Sequence, residues 1–346
     1  MDPRQAGILT RGVGFCQHQG KRGYQEDSYS YVEFSDDHII IIALADGMGG
    51  HVGGATASRI ACDTCLSLPS SLTENPTRLT GAHLAEQIEI ANQAIQNQIE
   101  NSSDLQGMGT TLVLLSVSAK GCAFASVGDS PLWIYRQKEF LRLNVDHSMA
   151  PVLADLVEVG RMSAEEAEND PRKNALRSAL SGDEIELLDV SEKFIPLKPD
   201  DILILASDGL QTLSEDAITN IIHLHKGDAQ SLADELVKRT LNVGTDNQDN
   251  VTVAVLKMAD FLDNNSAVLK SIEDKKKPVQ LASEEERITQ PLKRSTARET
   301  EVSPVKEKSN PMVWLTLLLV VFVIALIVFI VIEPSGQKID LNGALK

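Results

Sequence analysis

Residues Ile39 to Ala45 form an unbroken apolar run, Ile-Ile-Ile-Ile-Ala-Leu-Ala, that stops abruptly at Asp46 and the glycines Gly47, Gly49 and Gly50. A continuous, largely β-branched run of this length reads as a strand covered on both faces. The glycines after it let the backbone turn sharply and approach a ligand closely. Ile202 to Ala206 repeats the pattern and runs through Ser207 into Asp208-Gly209. Two such strands would bring two carboxylates and two open backbones side by side, which suits a hard cation with oxygen ligands. The plainer alternative is a pair of ordinary strand-to-turn exits, since Asp-Gly is a common turn dipeptide.

The chain has 346 residues and a formal net charge of -17. Dense apolar runs fill residues 1–258. Residues 259–311 hold ten Lys/Arg against ten Asp/Glu with few large apolar side chains, the composition of a flexible linker. Its coil-like reach is on the order of 40 Å. The tail, 333–346, is also neutral, so the whole acidity belongs to the N-terminal part. That excludes a binder of nucleic-acid backbone, which should be basic. Cys16, Cys62, Cys65 and Cys122 are too few and scattered for a disulfide framework. Cys62 and Cys65 form a C-x-x-C inside a helical pattern of small residues; core packing is the expected role, and a zinc site would need a second ligand pair.

Met1 to Thr10 contains Asp2, Pro3 and Arg4 and no apolar stretch, so no secretory signal is expected. Tyr29 to Phe34 alternates as a half-buried strand does. Helical patterns run from about Ala55 to Leu68, Thr80 to Glu100, Ser214 to His225 and Ala229 to Leu241. Cys122 to Val127, Gly128-Asp129 and Trp133 to Tyr135 read as a hairpin with an acid at its bend, followed by a polar segment through Asp170-Pro171. Strands and helices mix without a βαβ rhythm, which argues for antiparallel sheets with segregated helices. Met312 to Ile332 is a 21-residue stretch without charge, ~30 Å long as a helix, which matches a membrane span. Five Lys/Arg between Lys293 and Pro311, against two after the span, put the N-terminal part on the cytoplasmic side.

Six motifs stand out in order: Arg22-x-x-x-Glu26-Asp27, Ala45-Asp46-Gly47-Met48-Gly49-Gly50, Gly109-Thr110-Thr111, Val127-Gly128-Asp129-Ser130, Ser207-Asp208-Gly209 and Asp249-Asn250-Val251-Thr252. Together they resemble the motif set of the metal-dependent serine/threonine protein phosphatases of type 2C, bacterial branch, over roughly residues 7–258. The resemblance implies an α+β fold, a sandwich of two antiparallel β-sheets flanked by helices in α-β-β-α layers, to which the sequence adds one C-terminal transmembrane helix. It implies two Mn²⁺ or Mg²⁺ ions, with Asp46 bridging them, Gly47 giving a backbone carbonyl, and Asp208 with Asp249 completing the first metal. Glu26 and Asp27 would bind the second ion or its waters, Arg22 would clamp the substrate phosphate, and Asp129 with Asp208 would hold a third ion. Paired cations acidify a bridging water and stabilise an in-line phosphoryl displacement.

The chain departs from that pattern at Gln25, where asparagine is usual, and at Pro131, where arginine is usual. Met48 stands where eukaryotic members carry a histidine, as it does in bacterial-type members. His51 is a weak substitute for that histidine as an acid, and His147 is expected to be structural. The implied function is hydrolysis of phosphoserine and phosphothreonine in phosphoproteins at the membrane, opposing a Ser/Thr kinase, with no nucleic-acid partner. The alternatives are a membrane-tethered phosphoprotein-binding scaffold, or a regulatory phosphatase dedicated to one partner through the Met149 to Lys173 flap.

Overall fold

The computed structural model describes residues 12–34, 39–50, 52–68 and 79–262. In chain order these carry β1 (Val13–His18), β2 (Ser28–Phe34), β3 (Ile39–Ala45), β4 (Gly47–Met48), α1 (Val52–Cys65), α2 (Gly81–Asn101), β5 (Gly109–Thr110), β6 (Leu112–Ser118) and β7 (Gly121–Val127). There follow β8 (Leu132–Arg136), β9 (Glu139–Arg142), α3 (Ala150–Glu158), α4 (Ala164–Glu168), β10 (Asp189–Val190), β11 (Ile202–Ala206), α5 (Glu215–Leu224), α6 (Ala229–Val243) and β12 (Val251–Lys257).

The strands form two antiparallel sheets, one ordered β1-β12-β11-β8-β9 and the other β10-β7-β6-β3-β2. The period of two explains why β3 is apolar without a break. Ile40, Ile42 and Leu44 meet Leu203, Leu205, Ala254 and Leu256 of the opposite sheet. Ile39, Ile41, Ala43 and Ala45 turn the other way and pack under α1 and α2. On the far side Ile204, Ala206, Val253 and Val255 pack under α5 and α6. The result is the expected α-β-β-α layering. The inter-sheet core continues past β12, where Met258 and Phe261 are buried in it.

Local chemistry sets the helix ends. Ser214 and Asp228 cap α5 and α6 by accepting from Ala217 N and Ser231 N, and Gly244 ends α6 in the left-handed region at φ 75°. The carboxamide of Gln230 on α6 accepts from Phe15 N and donates to Phe15 O, satisfying edge strand β1 as a neighbouring strand would. The buried face of α1 is made of Gly53, Gly54, Ala57, Ser58, Ala61, Cys62 and Cys65. Both cysteines are unbonded thiols in that packing face, as expected of core residues.

Two expectations are corrected. First, β7 and β8 are not a hairpin: β7 pairs with β6 and β10, whereas β8 pairs with β11 and β9, so the Asp129 turn crosses between sheets. Pro131 has no N–H to continue a ladder, and Leu132 N donates to Asn144 Oδ1 instead of a β7 carbonyl. The strands that end in Asp46 and Asp208 lie in opposite sheets that pack face to face, and their tips bring the two carboxylates to one cleft, as expected. Second, the segment before Pro171 is not merely polar loop. It contains α3, with proline in its first turn, and α4, whose capping box joins Ser163 to Glu166.

No helix among the described residues is long and apolar enough to cross a membrane. The chain from residue 263, with the expected span Met312 to Ile332 and the tail, lies outside the described residues, as does His51.

Layer assignment has a direct energetic consequence. Ile41 is fully buried between β3 and the helices, so Ile41→Ala should lower the unfolding free energy by about 2–5 kcal/mol in a urea titration. Val159 is 67% exposed, and Val159→Ala should change it by no more than about 0.5 kcal/mol. Equal effects would contradict the layering.

Candidate active site

A cleft of about 730 Å³ opens where the two sheets end. Arg22, Glu26, Asp46, Gly47, Asp129, Asp208 and Asp249 all line it, drawn from five separate stretches of chain. Asp46 follows β3, Asp208 follows β11, Asp249 precedes β12, and Asp129 sits in the turn between sheets.

Asp46 is fixed through its backbone. Its N–H donates to Thr111 Oγ1 at 3.0 Å, and its carbonyl accepts from Thr111 N and Thr110 Oγ1, each at 2.9 Å. Gly47 N donates to Glu26 O at 3.1 Å, which joins the first two acidic motifs directly. A side chain on Gly54 of α1 would collide with Glu26 Oε1 and Gly47, so the small-residue start of α1 makes room for the cleft floor. Asn250 Oδ1 accepts from Glu26 N at 2.7 Å while its Nδ2 donates to Gln19 O and Tyr24 O, tying the Arg22 loop to the start of β12.

Asp27 differs from the other acids. It is 4% exposed and does not line the cleft. Its Oδ2 accepts from Ser207 Oγ at 2.8 Å and Thr252 Oγ1 at 2.7 Å, two hydroxyls of the opposite sheet. Its Oδ1 is buried without a hydrogen-bond partner among the described residues. Gln25 Oε1 accepts from Asp27 N at 3.1 Å, so the glutamine serves the loop as a local acceptor.

The turn at Asp129 has its own brace. Gly128 adopts φ 96°, which favours glycine. Arg142 Nη2 donates to Asp129 O at 2.6 Å and Nη1 pairs with Asp146 Oδ2 at 3.0 Å, while Asn144 Nδ2 donates to Ser130 O. His147 is buried, donates from its backbone to Gly128 O and accepts from Gly128 N at Nδ1, a structural position as expected. Arg142 and Asn144 thus support the turn that Pro131 leaves without an arginine of its own. The sequence motifs include Ser207, Asn250 and Thr252 but give neither them nor Arg142 and Asn144 these roles, because their partners lie far away in the chain.

Arg22 Nη2 pairs with Asp249 Oδ2 at 2.6 Å, with the arginine side chain 54% exposed. It is poorly matched in number to the acids. Burial, then Asp27, Asp208, Asp129 and Asp249, push Asp46 well above the usual carboxylate range. Burial and then Asp249 raise Asp208, and burial raises Asp27. Asp129 is pushed up to about 7 by burial and then by Asp208. Among the described residues no three such side chains close on one point as a finished metal shell. The donor chemistry nevertheless fits hard divalent cations: oxygen ligands only, mutual repulsion among the acids, and a buried unpartnered carboxylate oxygen on Asp27.

A protein-family model described as Protein phosphatase 2C matches residues 16–263. The Serine/threonine phosphatase stp of Listeria welshimeri is 32% identical over 240 residues, covering 68% of this chain and 90% of that protein. Protein phosphatase PhpP of Streptococcus pneumoniae is 34% identical over 232 residues, covering 63% and 85%. The crystal structure of the Mycobacterium tuberculosis serine/threonine phosphatase PstP/Ppp is similar with a TM-score of 0.59 at 28% identity, over 71% of this chain and 97% of that one. The catalytic domain of PstP in complex with two manganese ions gives 0.56 at 29% identity, over 71% and 96%.

The raised acids predict an unusual pH response. Asp129 and Asp27 titrate higher in the folded protein than the usual carboxylate value, so between about pH 4 and pH 7 the folded state binds more protons than the unfolded chain. Their contribution is largest at the acidic end and is lost as pH rises. Chelator-treated protein should therefore lose part of its stability between about pH 5.5 and pH 7.5, and Asp129→Asn should reduce that loss. Mn²⁺ should raise Tm more at the higher pH. Differential scanning calorimetry checks this, and a Mn²⁺ shift that is larger at the lower pH would contradict it.

Proposed function

Because the chain belongs to the protein phosphatase 2C family and is a protein serine/threonine phosphatase, we propose that it hydrolyses phosphoserine and phosphothreonine with two Mn²⁺ or Mg²⁺ ions held in the acid-lined cleft. The observation that carries this reading is the convergence of Asp46, Asp208 and Asp249 from opposite sheets onto one cleft with so little cationic compensation. Asp46, Gly47, Asp208 and Asp249 hold the ions, Glu26 and Asp27 orient their surroundings, and Asp129 with Asp208 offers a third position. When bound, the ions supply the charge that acidifies water and neutralises the phosphoryl oxygens.

The chain's own residues do the positioning. Thr110 and Thr111 fix Asp46 through its backbone, and Ser207 and Thr252 hold Asp27 from the other sheet. Arg22 presents a guanidinium fork to the phosphate from the cleft rim. Met48 stands where eukaryotic members carry a histidine, so water, or a leaving group weakly basic enough to need no acid, serves at the leaving oxygen. Phosphopeptide turnover should vanish with chelator and return with Mn²⁺. Asp46→Asn should abolish it, and Arg22→Ala should mainly raise KM. Full activity in excess chelator would sink the two-metal reading.

We further propose that Met312 to Ile332 spans a membrane once, that residues 259–311 act as the linker, and that the catalytic part faces the cytoplasm, where it opposes a Ser/Thr kinase. The support is the sequence: 21 uncharged residues with the basic bias on their N-terminal side. The acidic domain should be repelled by anionic headgroups, leaving the linker to set its range. Deleting 311–346 should release the enzyme from membrane fractions with unchanged kcat on soluble peptides. Full-length protein extracted by alkaline carbonate without detergent would show that the segment does not span.

A further inference from the structure

One wall of the cleft, Asn174 to Glu186, is not used by the chemistry above. It is held firmly. Arg177 N donates to His147 O at 2.8 Å, Leu180 exchanges two 2.9 Å backbone hydrogen bonds with Thr110, and Ser178 Oγ bonds both Leu187 O and Leu187 N. Leu176 also bridges to Ser148. The wall therefore has a fixed position relative to Asp46, whose carbonyl accepts from the same Thr110.

Arg177 and Arg22 are the two cationic side chains that line the cleft among the described residues. Arg22 pairs with Asp249 at 2.6 Å and is the group assigned to the reacting phosphate. Arg177 is exposed, and no ion pair engages it among the described residues. Beyond the turn at Gly182, with φ 85°, the same wall presents Asp183, Glu184 and Glu186, all exposed. The wall is thus bipolar along its length, with a guanidinium at one end and three carboxylates at the other. A substrate peptide held by its phosphate beside the acids has this wall as a flank.

Resting on the phosphatase reading, we propose that Arg177 is a specificity-determining residue that binds an anionic side chain flanking the phosphorylated residue, either a carboxylate or a second phosphate. The acids beyond Gly182 disfavour an anion on the opposite flank. The preference is therefore directional: an anion assists on one side of the phosphothreonine and hinders on the other. Arg177 is left to meet a neighbour of the reacting phosphate, since Arg22 serves the phosphate itself and the acids serve the ions.

The test is a scan of singly substituted phosphothreonine peptides, with Glu placed in turn at each of the flanking positions of an otherwise neutral sequence, and a second set with phosphothreonine in place of Glu. With the full chain and Mn²⁺, kcat/KM should rise about three- to fivefold for Glu on one flank and fall on the other, an effect of the size expected for an exposed charge pair. Arg177→Ala should erase the gain and leave the penalty. Arg177→Lys should restore part of it, and Arg177→Glu should turn it into a penalty. A larger gain for the second phosphate than for Glu would identify a doubly phosphorylated segment as the better ligand; equal gains would identify the carboxylate as sufficient. A preference unchanged in Arg177→Ala, or symmetrical about the phosphothreonine, would overturn the proposal. Absence of hydrolysis of both peptides and p-nitrophenyl phosphate by the wild type would instead overturn the phosphatase reading and the proposal with it.

Discussion

Repulsion among crowded, largely buried carboxylates at the mouth of the sandwich is the constraint on which the rest of this structure depends. Asp27, Asp46, Asp129 and Asp208 all titrate above their ordinary range because burial and neighbouring acids both disfavour their charged forms. Such a cluster costs stability at neutral pH, and nothing in the hydrophobic layering requires it. It persists only because two sheets with large apolar cores hold the strand tips together. The three layers of packing, from α1 and α2 through both sheets to α5 and α6, are the counterweight.

The supporting hydrogen bonds distribute that burden across the sandwich. Asp46 belongs to one sheet and Ser207, Thr252 and Asp249 belong to the other, and Asp27 is the residue that links them through two hydroxyl donors. A carboxylate accepting two short hydroxyl bonds is partly compensated for its desolvation, so Thr252 and Ser207 oppose the upward push of burial on Asp27. Asn250 performs the same linking role with backbone groups, joining Glu26, Gln19 and Tyr24 to β12. Relative movement of the sheets would therefore disturb the acids before it disturbed the core.

Much of this was legible in the sequence because it rests on local patterns. Continuous apolar runs identified β3 and β11, four helical patterns matched α1, α2, α5 and α6 to within a few residues, and the acids beside glycine or asparagine marked the strand tips. Long-range partners were not legible. Nothing in the spacing of Arg142 and Asp129 shows that a guanidinium thirteen residues on braces the turn carbonyl. The hairpin expected at Asp129 failed for a related reason: two apolar strands joined by four residues look alike whether they share a sheet or cross between two. The helix α4 was hidden by its polarity and its five-residue length, whereas the largely apolar α3 was passed over because it is short and carries Pro151 in its first turn.

Thr110 makes the cleft a single mechanical unit. Its hydroxyl donates to the carbonyl of Asp46, its backbone exchanges two hydrogen bonds with Leu180, and β5 pairs it with Gly47. The residue that would bind metal and the wall that would meet substrate are therefore attached to the same two-residue strand. Force on the wall at Arg177 passes through Leu180 to Thr110 and so to the backbone of Asp46, over bonds no longer than 2.9 Å. Such short, fully bonded connections keep a site within the small tolerance that positioned catalysis needs. The same stiffness limits how the wall can adapt, so substrate selection must come from the side chains it displays rather than from its movement.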